Sequence, residues 1–181
     1  MKRLVLAPHP ALPPTAIHRI EVEVERPGPD RLHLRYVVIG DVGRLCLPPP
    51  AAPARTDELW KHTCFEAFLR PGAGPAYCEL NLSPSTRWAA YSFVAERAGM
   101  QHADGIGAPR IETRSSADRY ELTAAIDLDL AGHAAWRLGL SAVIEDLDGA
   151  KSYWALAHPA TKPDFHHPDA FTFDLPAPET P

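Results

Sequence analysis

The chain has 181 residues, 45% hydrophobic and 23% charged, with a formal net charge of -5. This is ordinary composition for one globular domain and excludes wholesale disorder. Lys and Arg gather into no stripe and no apolar run approaches the ~20 residues that span a bilayer, so neither nucleic acid nor membrane is expected as a partner.

The opening "MKRLVLAPHP" has two basic residues and then only "LVLA" before Pro8, too short an apolar core for a secretory signal. The chain is therefore expected in the cytoplasm. "IHRIEVEVER" alternates Ile20, Val22 and Val24 against Arg19, Glu21, Glu23 and Glu25, which is a half-solvated strand. After a turn at 27–30, "RLHLRYVVIG" places Leu32, Leu34, Tyr36 and Val38 on one face, completing a hairpin. "GRLCLP" (43–48) reads as a further short strand, ended by the Pro-rich connection 48–53.

"KHTCFEAFLRP" and "AYCELNLSP" follow as strands divided by the turn "GAGP". "TRWAAYSFVAER" fits a strand through Tyr91 and Phe93 and a helical face through Trp88 and Tyr91; its strand neighbours favour strand. Segments 117–128, 136–146, 151–158 and 171–175 complete about ten strands, and "DLDLAGHAAW" (127–136) has room for one short helical turn. The expected fold is all-β, an antiparallel sandwich or jelly roll with little helix. One domain over 1–176 with a frayed tail at 177–181 fits the pattern.

Cys46, Cys64 and Cys78 are odd in number and lack CxxC spacing, so they suggest neither a disulfide framework nor a zinc site. There is no GxSxG elbow, HExxH, phosphate loop or GxGxxG, and an enzyme reading has only paired carboxylates to stand on. No cofactor is expected.

Three short elements in order resemble a known family: Phe65, Glu66, Ala67 and Phe68 on one strand; Tyr77, Cys78 and Glu79 on the next; and a turn with Pro163, Asp164, Phe165 and Pro168 before the last. Together they are similar to the DOMON-like superfamily, in its intracellular bacterial branch close to the family 9 carbohydrate-binding modules. The resemblance implies a β-sandwich whose concave face or end holds a ligand, a sugar in the carbohydrate modules and haem in some extracellular DOMON domains. It does not imply catalysis.

Glu66, Glu79 and Asn81 lie within segments that otherwise read as buried strand. Thr63, Phe65, Ala67 and Leu69 share one face and Cys64, Glu66, Phe68 and Arg70 the other, so Glu66 sits beside Phe68 rather than in a charged row. Either the carboxylates pair with a nearby Arg70, Arg87 or Arg97, or they accept ligand hydroxyls in a recess, expected between the two stacked layers. Trp60 and Trp88 are candidates to stack on a sugar ring, Trp60 near a rim, while Trp136 and Trp154 are expected in the core. With Lys61 and Arg87, these residues make up the candidate ligand-binding set.

Two other chemistries have residues to point to. His158, Asp164 and His166 in "AHPATKPDFHHPD" are weak candidates for a metal, against which the Pro residues favour a turn with Asp164 capping backbone N–H groups. Met100 and His102 are a haem-type pair too close in sequence to bracket a ring, so one would need His158 or His133. The reading that best fits the whole is a non-catalytic module for a sugar or cell-wall precursor fragment. The alternative is a protein-interaction or dimerisation module without a small ligand, which uses an edge strand or apolar face to hold another protein or a second copy of the chain.

Overall fold

The computed structural model describes residues 1–129 and 135–178. Its strands in chain order are β1 (Lys2–Pro8), β2 (Ile17–Gly28), β3 (Arg31–Gly40), β4 (Cys64–Pro71), β5 (Tyr77–Leu82) and β6 (Trp88–Phe93). Then come β7 (Gln101–His102), β8 (Arg110–Ser115), β9 (Arg119–Asp127), β10 (Trp136–Glu145), β11 (Lys151–Ala155) and β12 (Phe173–Leu175). Every pairing between these strands is antiparallel.

The spatial order is β7-β6-β5-β4-β10-β11-β1-β2-β3-β9-β8, with β12 on β10. β1 makes the corner. Its Lys2–Leu6 stretch pairs with β2, and Ala7 and Pro8 then pair with Ala155 and Trp154 of β11. The continuous sheet thereby folds into two layers, β1-β2-β3-β9-β8 and β7-β6-β5-β4-β10-β11. The space between them is filled by Ile20, Val22, Leu34, Tyr36, Phe65, Leu80, Leu122, Leu140 and their neighbours. Tyr36 marks the contact: its ring lies 5.0 Å from Phe65, and its hydroxyl donates to the Glu66 carbonyl at 2.6 Å.

The alternation expected for β2 and β3 is present, with Ile20, Val22, Val24, Leu32, Leu34, Tyr36 and Val38 all facing the core. The outer face of this layer carries a charged ladder in which Arg35 bridges Glu23 at 2.9 Å and Glu121 at 2.8 Å. These hydrogen bonds, Arg35 first and then Arg3, hold the Glu23 carboxyl below the usual carboxylate range.

The second layer differs, because every residue of β5 is buried. One face packs on the interlayer core, and loops cover the other.

Two expectations need correction. Segment 43–48 is not a strand: a 3-10 turn at Val42–Arg44 is followed by a single bridge between Leu45 and Asp146. β1 and β8 are full strands that the alternation left unassigned, and β7 is a two-residue addition at the edge. Of the stretch 127–136, where one short helical turn is expected, residues 130–134 lie outside the described residues, as do 179–181 of the tail.

Candidate functional site

The cross-strand register builds two polar rows on the outer face of the second layer. Ser141 of β10 is opposite Glu66, Glu66 opposite Asn81, and Asn81 opposite Ala89. In the adjacent row Gly139 is opposite Phe68, Phe68 opposite Glu79, and Glu79 opposite Tyr91. Glu66 and Glu79 are therefore diagonal neighbours on β4 and β5, a relation that brings long side chains within reach of each other.

Both carboxyl groups are buried, at 2% exposure for Glu66 and 5% for Glu79. Asn81, fully buried, donates from Nδ2 to Glu79 Oε1 at 2.8 Å and accepts at Oδ1 from the Cys64 thiol at 3.6 Å. Ser141 Oγ donates to Glu66 Oε2 at 3.3 Å. Burial, and after it the charge of Glu79, pushes the Glu66 carboxyl well above its ordinary range. Burial likewise lifts Glu79 to about 7 against the opposing pull of Asn81 and Arg97. The pair thus holds at least one proton near neutrality.

The return segment after β11 forms one wall. It can approach because Gly139 has no side chain: a Cβ there would meet the Ala170 carbonyl oxygen at 3.3 Å and Phe68 Cβ at 3.5 Å. Asp164 Oδ1 accepts from the His166 backbone N–H at 3.1 Å and from Arg97 Nη2 at 2.8 Å, closing the Pro163–His166 turn and joining it to the 94–100 loop. His166 then sits edge-on to Phe68 and Phe93 at 5.2 and 5.1 Å. Burial first, and the Arg97 charge second, depress its ring to about 4, so it is neutral at pH 7.

The opposite wall is Trp60, half-buried on the 3-10 turn Leu59–Lys61 and edge-on to Tyr91 at 5.8 Å. Tyr91 in turn donates to Asp57 Oδ1 at 2.6 Å, tying that turn to β6. Between the walls is a cleft of about 360 Å³ with Glu66 and Glu79 in its lining. Phe93, Tyr153, Phe165 and Val143 complete its apolar surface, with Arg97 and Met100 beside them.

The recess is thus on the outer face of one layer, not between the layers. The reason is volume: the interlayer space is already filled with hydrocarbon, including Trp136 and Trp154 as expected.

Of the residues singled out from sequence, Glu66, Glu79 and Trp60 line the cleft, and Asn81, beside Glu79 on the same face, holds the Glu79 carboxyl. Trp88 points the other way, into the core, with the Arg55 guanidinium 4.4 Å from its ring centre. Lys61 and Arg87 belong to a separate cleft of about 400 Å³ beside Pro48–Pro50. Ser141, Phe93, Tyr153 and Phe165 were not singled out as ligand-binding residues. Ser141 had one signal, a lone hydroxyl inside the apolar run "LGLSAVI".

The other candidate chemistries are dispersed. His158 Nε2 bonds to the Ala7 carbonyl at 2.8 Å, whereas Asp164 is engaged by Arg97. Among the described residues no group of three His, Cys, Asp or Glu is placed to hold a metal ion. Met100 is at the cleft, whereas His102 bonds to Asp57 Oδ1 at 3.1 Å, and His133 lies outside the described residues. No helix among the described residues is long and apolar enough to cross a membrane.

The fold has solved counterparts. A candidate carbohydrate-binding protein from Bacteroides uniformis superposes with a TM-score of 0.69 at 12% identity, over 94% of this chain and 84% of that one. A family 9 carbohydrate-binding module from Caldicellulosiruptor kristjanssonii, in complex with cellotriose, superposes with a TM-score of 0.54 at 12% identity, over 86% of this chain and 72% of that one. At that identity the likeness is one of fold. No protein-family model matches the sequence, and no curated protein matches it.

Proposed function

We propose that this chain is a non-catalytic, DOMON-like module of the cytoplasm that holds a small polar ligand, a sugar or a cell-wall precursor fragment, in the cleft over β4, β5 and β10. The observation that carries the reading is the floor of that cleft: two carboxyl groups, each at most 5% exposed, opening between aromatic walls. Carboxyl oxygens accept or share protons with ring hydroxyls, and aromatic rings cover the C–H faces of a pyranose. The fold shared with a family 9 module supports the same reading.

Thermal shift of the native protein across a panel of glycans and muropeptides tests it. A ligand of the cleft raises the melting temperature, and Glu66→Ala removes that rise. Silence across the panel at saturating concentrations overturns the proposal.

A further inference from the structure

The charge of the cleft narrows the ligand further. Glu66 Oε2 has Ser141 as its partner at 3.3 Å, and Oε1 has no hydrogen-bond partner among the described residues. Glu79 Oε1 is held by Asn81, while Oε2 faces His166 Nε2 at 3.7 Å, beyond hydrogen-bond range. The neutral ring gives that oxygen no cation within hydrogen-bond reach. Among the described residues the guanidinium in the lining is Arg97, which acts on Glu79 only at longer range and is engaged by Asp164 at 2.8 Å.

A buried carboxylate with no counter-charge is costly, and a proton or a cation relieves it. Neutral hydroxyls satisfy the oxygens but not the charge. Aromatic rings in the lining, Trp60, Phe93, Tyr153 and Phe165, suit a cation more than an anion. Since no third metal-ligating side chain joins the pair among the described residues, an organic cation fits better than a metal ion.

Building on the sugar-binding reading, we infer that the ligand carries a free primary ammonium group, as an amino sugar does, and that this group sits between Glu66 and Glu79. The charge balances. Glu79, lifted only to about 7, can give up its proton as the ammonium enters; the pair then presents one negative charge, which one ammonium neutralises. The group that keeps its proton donates to a ring oxygen or hydroxyl.

The test is calorimetric titration of the full chain at about pH 6.5 with glucosamine, glucose and N-acetylglucosamine, the last keeping the ring but losing the charge. Glucosamine is expected to bind about tenfold or more tightly than the other two, and Glu79→Gln to abolish that preference, whatever it does to the affinity the three sugars share. If Glu79→Gln does not fold, the native protein decides: the preference must vanish at about pH 9.5, where an amine of this kind is uncharged. Equal affinity for glucosamine and glucose overturns the ammonium inference and leaves sugar binding standing. Absence of binding by all three, with silence across the wider panel, overturns both.

Discussion

Tyr77 and His166, 89 residues apart in sequence, are joined by a 2.6 Å hydrogen bond between the phenol and ring Nδ1. The phenol oxygen also accepts from the Arg97 backbone N–H at 3.2 Å. The bond thus ties β5, the 94–100 loop and the return segment into one wall of the cleft.

Tyr77→Phe removes this tie while keeping the ring that stacks on Phe93 at 4.8 Å. The loss is expected to be about 1 to 3 kcal/mol, because a buried ring nitrogen is left unpaired. Denaturant unfolding gives the stability, and hydrogen exchange is expected to speed up in residues 163–167 while the β2–β3 hairpin stays protected.

Trp60 and Trp88 separate binding from folding. Trp60→Ala removes a half-buried rim side chain and is expected to weaken ligand binding at least tenfold with a stability change near 1 kcal/mol. Trp88→Ala opens a hole in the interlayer core and is expected to cost about 3 to 5 kcal/mol. Paired thermal melts and titrations of the two variants check the contrast; the opposite pattern would place the ligand elsewhere.

The dependence of stability on pH has two opposing parts. Glu79, lifted from an ordinary 4.5 to about 7, binds its proton more tightly folded than unfolded, so its contribution is full below 4.5 and is lost as pH rises to 7. His166, depressed from 6.5 to about 4, acts in reverse: stability falls as pH drops from 6.5 to 4. Glu66 adds to the first trend, while Arg97 and Asp164 face the pair as an ion pair. Between 4.5 and 6.5 His166 offsets only one of the two carboxyl groups, so wild-type stability is expected to fall as pH rises from 4.5, and more steeply between 6.5 and 7. Glu79→Gln is expected to gain stability relative to wild type as pH rises from 4.5 to 7, and His166→Gln to lose it from 4.5 upward, in denaturation series at fixed ionic strength. Parallel curves for all three proteins would contradict this.

Gly139→Ala tests the approach of the return segment. The added methyl meets the Ala170 carbonyl oxygen at 3.3 Å, tighter than ordinary contact, and is expected to cost about 1 to 3 kcal/mol. Because Phe171 packs over Phe68 and Tyr77 at 6.0 and 5.4 Å, ligand affinity is expected to drop along with stability in the same titrations.

Alternation alone determined a good deal of this protein. The period of two put Phe65, Ala67 and Leu69 on one face of β4 and Cys64, Glu66 and Phe68 on the other, and the structure keeps that division. It did not reveal β8, where only Ile111 of six residues is buried, because a strand at a solvated edge has little apolar pattern to read. The Asp164 turn was legible in "KPDFHHP" because a short-range cap depends only on neighbours in sequence. What tertiary structure alone decided is where the second face of β4 and β5 looks. Pairing rules out a half-turn, so Glu66 must point away from the core, but water or a cleft can lie in that direction. The outcome rests on Trp60 and on the 156–172 segment, brought over the strands by contacts between residues as distant as Tyr77 and His166. Such contacts leave no periodic trace in the chain, since their energy comes from surfaces that exist only after the layers have formed.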